Sequence, residues 1–319
     1  TVSLEKTSPT NQLRLYMSVD GTSPKAADVA TPTVPLKTSQ LAIGGFPATE
    51  QTSTLKGWLD ELHITTDADS KFIFVAFNRP SLLLVFAINA DGTLGGEVKQ
   101  NEPPETGIFP HQIRITPDNK MAILVTRGND ATKDKAEDPG ALKVFHYNNG
   151  QLSGEVSIAP NKGYGFGPRH LDFHTEKPWV YVSLERQNQL TVYKRDGDAL
   201  QSSAAWTVNT VQKPGKSGLR QMVGTVHVHP NGRFLYGSNR SEQLVDFNGK
   251  KVYKGGENSI VVYSINQKTG EPTQIQNIET RKIHPRTFHI DPSGRMLVAN
   301  GTTSALSPQA LTGGSSSTR

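Results

Sequence analysis

The stretch Phe109-Pro-His-Gln-Ile-Arg-Ile-Thr-Pro-Asp118 decides the fold of this chain, because its pattern returns along the sequence with different polar residues in one fixed position. Three clear copies run from Gly167 to Glu176, from Met222 to Asn231 and from His284 to Ser293, and a weaker copy runs from Trp58 to Asp67. Recurrence of one pattern at a steady spacing indicates a repeat protein.

Each copy forms the first apolar run of a unit and is followed by further apolar runs in the same order. The second runs are Phe72–Phe77, Met121–Thr126, Trp179–Leu184, Phe234–Ser238 and Met296–Ala299. The third runs are Leu83–Ile88, Ala141–His146, Gln189–Lys194 and Ser259–Ser264. Turn pairs such as Asp91-Gly92 and Asn149-Gly150 close the units, which predicts antiparallel hairpins. A period of roughly 45–60 residues with three or four strands per unit predicts an all-β fold, a β-propeller of antiparallel four-stranded blades.

The composition limits the function classes. No apolar run reaches the roughly 18 residues of a membrane span, so we expect no membrane association. The net charge is +5 but the Lys and Arg residues are scattered, so we expect no nucleic-acid binding. There is no cysteine, which excludes thiol chemistry. Without cysteines, a signal peptide or a membrane segment, the sequence fits the cytoplasm or the periplasm equally, and the oligomeric state stays open.

The sequence divides into three parts. Residues 58–300 carry the propeller repeats, and residues 301–319 form a polar tail that we expect to be flexible. Residues 1–57 fit the repeat poorly, with strands expected at Leu13–Val19 and Gln40–Ile43. They are interpreted as atypical strands that complete the propeller. The alternative is a fragment of a laminin-G-like module, which Leu41-Ala-Ile-Gly-Gly45 resembles.

Two charged insertions lie between the second and third runs of their units, at 128–140 and 241–257. Both are expected to be solvated loops, and the alternative is a lid or rim over one mouth of the channel.

Alignment of the copies places polar residues in two slots. Two apolar columns in the first strand, such as Ile113 and Ile115, alternate onto one face and should pack between blades. Four residues before the second of these columns stand Asp60, His111, Arg169, Gly224 and Arg286. At the end of the second strand stand Asn78, Arg127, Glu185, Arg240 and Thr302. Antiparallel pairing brings the start of one strand and the end of the other to the same end of the blade.

Radial repetition should therefore gather these side chains around one mouth of the propeller channel. Arginines that face one another need anions, so a small ligand with a carboxylate or phosphate is expected there. The alternative is that each arginine pairs with a neighbouring blade and holds the ring together.

Other chemistries have weaker support. The pairs His227/His229 and His170/His174 could bind a metal, but no acidic residue repeats beside them, so no metal is expected. The sequence contains no Gly-rich phosphate loop, no Gly-x-Ser-x-Gly elbow and no Cys/His pair. Nothing in it therefore indicates a Ser or Cys hydrolase that forms a covalent intermediate.

Five motifs together resemble the seven-bladed lactonase propellers, the family of bacterial 6-phosphogluconolactonase and fungal carboxy-muconate lactonizing enzyme. They are Pro110–Asn119, Gly167–Phe173, Tyr181–Glu185, Leu235–Arg240 and Pro285–Phe288. The resemblance implies seven blades and lactone chemistry without a cofactor. It also implies a site in which His111, Arg169, Glu185 and Arg240 are catalytic and Arg286 lies nearby.

The expected function is hydrolysis of a small anionic, sugar-type lactone at this mouth. His111 or Glu185 would act as general acid-base, and Arg169 and Arg240 would stabilise the developing negative charge. Residues expected to bind the lactone or a dicarboxylate are Arg286, Arg127, Asn78 and Asp60. Three alternatives stay open. The same residues could cyclise a muconate-type diacid to a lactone, or the propeller could be a non-catalytic binding or scaffold protein. The third alternative is a metal-dependent propeller of the gluconolactonase type.

Overall fold

The computed structural model describes residues 2–7, 12–17, 63–213 and 219–303. Near the N-terminus, β1 (Val2–Thr7) and β2 (Gln12–Met17) pair antiparallel, and β2 overlaps the strand expected at Leu13–Val19. The strand expected at Gln40–Ile43 and the candidate ligand Asp60 lie outside the described residues.

Four antiparallel sheets follow, which we number blades 1 to 4 in chain order. Blade 1 contains β3 (His63–Thr66), β4 (Phe72–Phe77), β5 (Leu82–Ile88) and β6 (Leu94–Glu97). Blade 2 contains β7 (Pro110–Ile115), β8 (Met121–Thr126), β9 (Ala141–Asn148) and β10 (Gln151–Ile158), and a short 3₁₀ turn, Pro160–Gly163, follows it.

Blade 3 contains β11 (Pro168–Phe173), β12 (Trp179–Leu184), β13 (Gln189–Asp196), a short β14 (Ala199–Leu200) and β15 (Trp206–Asn209). Blade 4 contains β16 (Met222–Val228) and β17 (Phe234–Arg240), then β20 (Ser259–Ile265) and β21 (Pro272–Glu279). Between its second and third strands, β18 (Leu244–Phe247) and β19 (Lys250–Tyr253) form a separate hairpin. In blade 5 the structure describes β22 (Ile283–Ile290) and β23 (Leu297–Thr303).

The structure confirms the predicted all-β, four-stranded architecture. Every predicted second and third run forms a strand, and the described part of the chain contains no α-helix. None of the described segments is a helix that could cross a membrane. The last described strand, β23, continues to Thr303, three residues past the predicted end of the repeats at residue 300, and Thr303 pairs with Ile283.

The core lies between neighbouring blades, as the two apolar columns predict. Ile113 and Ile115 of blade 2 pack with Phe74 and Val85 of blade 1. Equivalent clusters join blades 2 and 3, blades 3 and 4, and blades 4 and 5. Since the first strands of successive blades are neighbours, the blades are arranged side by side around an axis.

The strand register fixes two ends of each blade. Pro110 pairs with Thr126, Pro168 with Leu184, and Met222 with Arg240. We call this end, where the first strand begins and the second ends, the mouth end. The opposite end, where a turn joins the two strands, is the turn end. The structure confirms that the two polar slots share the mouth end.

Side chains also tie the first strands of successive blades together. The backbone N–H of Ile113 donates to Nδ1 of His63 at 3.4 Å. One blade further on, the N–H of Leu171 donates to Oε1 of Gln112 at 2.5 Å. In the next blade the N–H of Val228 donates to Oδ2 of Asp172 at 2.9 Å. In each joint the acceptor belongs to the first strand of the preceding blade.

Candidate active site

Glu185 is the centre of the mouth-end cluster. It directly follows β12, and its backbone N–H donates to the carbonyl of Gly167 at 2.8 Å, which continues the strand ladder. Its buried carboxylate contacts three guanidiniums: Oε1 accepts from Arg240 and lies 3.0 Å from Nε of Arg169, and Oε2 lies 2.6 Å from Nη1 of Arg127. The three arginines come from blades 2, 3 and 4, so the cluster joins three blades.

The charge of this cluster is unbalanced. The four side chains carry formally three positive charges and one negative charge. Burial raises the pKa of Glu185, but the guanidiniums of Arg240, Arg169 and Arg127 outweigh burial and lower that pKa to about 2. Glu185 is therefore ionised at neutral pH and accepts protons weakly. The interblade pairing that the sequence left open is present, together with a surplus of positive charge that suits an anion.

His111 lies in the same cluster. It is buried at the start of β7, and its ring packs edge-on against the ring of His170, with centroids 4.8 Å apart. His111 also contributes to the lowered pKa of Glu185. Burial, Arg169 and His111 hold the pKa of His170 well below its usual range, so His170 is neutral. An imidazole beside a carboxylate and arginines can transfer protons near a stabilised negative charge.

A second histidine, His284, was missed as a site residue. Its Nε2 lies 2.9 Å from Nη1 of Arg240, and its Nδ1 lies 3.3 Å from Oε2 of Glu242. Its backbone N–H donates to Oδ1 of Asn258 at 3.0 Å. Burial, Arg240 and Arg286 lower the pKa of His284 to about 3. The signal was present in the sequence, because His284 stands before Pro285 where other copies have Phe109 or Gly167.

The backbone is unusual at these positions. Phe109 and His284 adopt left-handed conformations, with φ of 63° and 57°, and each directly precedes a proline. Such conformations cost about 1–3 kcal/mol in residues other than glycine and persist where surrounding contacts hold them. Phe109 is held by Arg127, whose guanidinium lies 4.4 Å from the centre of its ring. The mouth end therefore contains two unfavourable backbone conformations, and at Phe109 a contact from Arg127 helps to hold one of them.

Gly224 occupies the slot that holds His111, Arg169 and Arg286 in other blades. A Cβ at this position would clash with Oγ of Ser238 and lie 3.1 Å from the carbonyl oxygen of Arg286. It would also lie 3.5 Å from Nε of Arg240. Because glycine has no side chain, Arg240 can lie across this slot and reach Glu185.

The insertion 128–140 contributes to the rim of the mouth. Oδ1 of Asp130 lies 2.5 Å from Nε of Arg186, and Oε1 of Glu137 lies 2.5 Å from Nη1 of the same arginine. Oδ2 of Asp130 lies 3.9 Å from Nη1 of Arg127. The rim interpretation, which the sequence left as the alternative, therefore fits this insertion.

A cavity of about 710 Å³ opens beside the cluster. It lies between blades 3 and 4, and Glu185 is the cluster residue that borders it. Its walls also include Asp130, Arg186, Arg220 and Glu257. This volume is large enough for a sugar-sized molecule next to the carboxylate and its arginines.

Two further predicted ligands have different positions. Arg286 lies near the cluster, since its charge lowers the pKa of His284 together with Arg240 and Arg169. Asn78 lies at the mouth end of blade 1, but among the described residues no hydrogen bond joins its side chain to the cluster. Its neighbour Arg79 reaches blade 2 instead, with Nη2 donating to Oδ1 of Asn129 at 3.2 Å.

The histidine pairs considered for metal binding are separated. His174 and His229 lie at turn ends, where Nε2 of each donates to a carbonyl of the next blade. His170 lies in the cluster, and Nδ1 of His227 lies 3.5 Å from Asp172. Within residues 63–213 and 219–303, no group of three or more histidine and acidic side chains is arranged to hold a metal ion.

Comparison with known proteins agrees with this architecture. The family model described as "Lactonase, 7-bladed beta-propeller" matches residues 14–307. The chain is 28% identical over 242 residues to the 6-phosphogluconolactonase of Bacillus subtilis, a match that covers 75% of this chain and 62% of that protein. It is also 28% identical over 240 residues to the 6-phosphogluconolactonase of Pectobacterium carotovorum, covering 75% and 63%. The chain thus spans less than two thirds of the length of these relatives.

Solved structures show the same fold. The periplasmic gluconolactonase of Pseudomonas aeruginosa superposes with a TM-score of 0.56 at 20% identity, over 74% of this chain and 62% of that chain. A putative 6-phosphogluconolactonase from Bacteroides fragilis superposes with a TM-score of 0.51 at 21% identity, over 75% and 62%. At these identities the likeness concerns the propeller architecture alone.

Proposed function

Because the chain belongs to the seven-bladed β-propeller lactonase family, we propose that it hydrolyses a small, anionic, sugar-type lactone at the mouth end. Relatives named 6-phosphogluconolactonase support this substrate class. The observation that carries the proposal is the ionised Glu185 held among three guanidiniums, with His111 in the same buried cluster. Such a group of charges offers both proton transfer and stabilisation of an oxyanion.

In the proposed reaction, His111 is the general base. It takes a proton from a water molecule as the water oxygen attacks the lactone carbonyl carbon. The carbonyl oxygen becomes an oxyanion, the ring C–O bond then breaks, and protonated His111 returns the proton to the leaving alkoxide. The product is the open hydroxy acid. General acid-base help of this kind contributes typically about 10²–10⁴ in rate.

Arg169 and Arg240 are proposed to stabilise the oxyanion. Both guanidiniums are almost fully buried and held by the same carboxylate oxygen, so their positions are set before the substrate arrives. Preorganised donors in a site shielded from water lose little energy to rearrangement during the reaction. Arg127 and Arg286 would attract the carboxylate or phosphate of the substrate, whose body would occupy the cavity next to Glu185.

Glu185 is proposed as a positioning residue. With a pKa near 2 it is a weak base at neutral pH, and its contacts are all with arginines that carry the proposed oxyanion and substrate contacts. This role narrows the sequence hypothesis, in which either Glu185 or His111 could take the proton.

The test is turnover by the purified protein of 6-phosphogluconolactone, glucono-δ-lactone and a carboxy-muconate. We expect hydrolysis of at least one lactone, and a loss in kcat of about 10²–10⁴ in the His111→Ala variant. The matched control is Lys251→Ala, which changes an exposed ion pair on the β18–β19 hairpin and should keep full activity.

Unchanged lactone hydrolysis in folded His111→Ala would contradict the proposed mechanism. Cyclisation of the muconate without lactone hydrolysis would assign the reverse chemistry to the site. Absence of turnover on all three compounds would favour a binding or scaffold role.

A further inference from the structure

We propose that Glu242 and His284 form a chain of polar contacts that fixes the guanidinium of Arg240, which makes His284 a positioning residue for the reaction. The inference rests on the proposed lactonase function for its effect on rate. It does not depend on that function for the chain of contacts itself.

The tautomer of His284 follows from its neighbours. Every nitrogen of an arginine guanidinium is a donor, so Nε2 of His284, 2.9 Å from Nη1 of Arg240, must be the acceptor. A neutral imidazole with an acceptor Nε2 carries its proton on Nδ1. That Nδ1 lies 3.3 Å from Oε2 of Glu242, an ion-pair distance at which the negative carboxylate attracts the Nδ1 proton and favours this tautomer.

The neutral state of His284 follows from the surrounding charge. A protonated imidazole would place a second positive charge against Arg240, with Arg286 and Arg169 also facing it. Burial and these three cations lower the pKa of His284 to about 3, while Glu185 opposes them. His284 therefore stays an acceptor at neutral pH.

The chain has a direct consequence for Arg240. Its guanidinium is held on two sides, since Nη1 contacts His284 and Nη2 contacts Glu185. Two contacts on different nitrogens fix the plane of a guanidinium, whereas one contact permits rotation. Arg240 is one of the two proposed oxyanion donors, so its orientation should matter most when negative charge develops.

The insertion 241–257 supplies this support. Oδ1 of Asn258 accepts from the backbone N–H of Ser241 at 2.8 Å and from that of His284 at 3.0 Å. Glu242 directly follows Ser241, so the same asparagine brings the start of the insertion and the left-handed His284 together. This insertion therefore has a specific role at the mouth beyond solvation.

The first measurement is ¹⁵N NMR of the imidazoles in the wild-type protein at neutral pH. We expect the Nδ1–H tautomer for His284. His174 and His229 provide internal controls, because their Nε2 atoms donate to carbonyls at 2.8 and 2.9 Å and they should show the opposite tautomer. An Nε2–H tautomer or a protonated ring at His284 would overturn the proposal.

The second measurement is steady-state kinetics of four variants. Glu242→Leu and His284→Leu remove an acceptor and should lower kcat by about 10–100-fold, the effect that loss of an orienting partner commonly has at metal sites. The KM should change little, since the contact gains importance in the transition state. Glu242→Gln and His284→Gln keep an acceptor oxygen and should stay within about threefold of the wild type.

Asp246→Leu is the matched control. Its side chain lies on β18 of the same insertion and pairs with Lys251 at the surface, so kcat should not change. Equal losses in the Leu and Gln variants, with lower unfolding midpoints, would indicate a packing role and overturn the proposal. Full activity in Glu242→Leu would overturn it as well. If the wild type hydrolyses none of the lactones, the proposed function fails, whereas the tautomer still supports or overturns the chain from Glu242 to Arg240.

Discussion

The histidines at the turn ends repeat one contact from blade to blade, whereas those at the mouth end each have different neighbours. His174 and His229 both donate from Nε2 to a glycine carbonyl in the next blade, at 2.8 and 2.9 Å, and both accept backbone N–H groups at Nδ1. At the mouth end, His111 packs on His170, and His284 contacts Arg240 and Glu242. A contact that recurs in successive blades is expected to stabilise the fold. A contact that occurs in one blade alone is the better candidate for a functional role.

The largest expected effect is that of Glu185→Gln. The substitution keeps the shape but removes the negative charge that pairs with three guanidiniums, two of them almost fully buried, so the free energy of unfolding should fall by about 3–5 kcal/mol. Urea denaturation measures this change, and lactone turnover should fall with it because the arginines lose their common partner. Glu185→Asp, which keeps the charge, should recover part of both. An unchanged unfolding midpoint would show that the mouth end is no more sensitive than the turn end.

Gly224→Ala should have the next largest effect. The added Cβ would clash with Oγ of Ser238 and lie close to the carbonyl of Arg286, so we expect a loss in stability of about 1–3 kcal/mol. Displacement of Arg240 should also lower kcat. Gly96→Ala is the matched control, because a Cβ added at Gly96 would meet no other atom within 4 Å. Gly197→Ala would be unsuitable, because the φ of Gly197 is positive and would strain an alanine. Activity of Gly224→Ala equal to that of Gly96→Ala would contradict the role of this slot.

His174→Ala should have a smaller effect, and a different one. Loss of the hydrogen bond to the carbonyl of Gly232 should lower stability by about 1 kcal/mol. Lactone turnover per folded molecule should stay at the wild-type level, because the residue lies at the turn end. Thermal melting and kinetics measure the two properties separately. A marked fall in kcat would contradict the division between the two ends.

The effect that is smallest at neutral pH, and grows as the pH falls, concerns the pH dependence of stability. The lowered pKa of His284, about 3, favours its neutral form in the folded state, so stability falls as the pH drops below about 6.5, where the unfolded histidine is protonated. Glu185 affects stability in a lower pH range, because the stabilisation from its lowered pKa is present above about pH 4.5 and is lost as the pH falls toward 2. In His284→Gln the decline between pH 6.5 and 3 should be shallower than in the wild type. Unfolding midpoints at several pH values test this, and identical slopes would contradict the assignment.

Much of this arrangement could be predicted from the sequence, because repeats share a register. The position of His111, Arg169, Glu185 and Arg240 in equivalent slots was enough to place them at one end of the blades. The same argument placed Arg127 and the apolar columns correctly. Register could not show that Arg127, Arg169 and Arg240 share one carboxylate, since that depends on how far each side chain reaches across the channel.

The remaining features could not be predicted because they do not repeat. Glu242 lies in an insertion whose sequence does not repeat that of the insertion at 128–140, and its contact with His284 depends on Asn258, which lies beyond the hairpin. The residues that tie the first strands are His63, Gln112 and Asp172, three different types in three joints. Because side chains of different types can accept this hydrogen bond, the sequence shows no repeated residue that would predict it.

Those joints between first strands affect how the protein unfolds. Each leaves one backbone N–H whose acceptor is a side chain of the preceding blade, so that donor loses its partner if the neighbour separates. The apolar columns are likewise covered only when two blades are in contact. Separation of one blade would therefore expose core and break these hydrogen bonds to its neighbours, and the described blades should melt in a single cooperative transition.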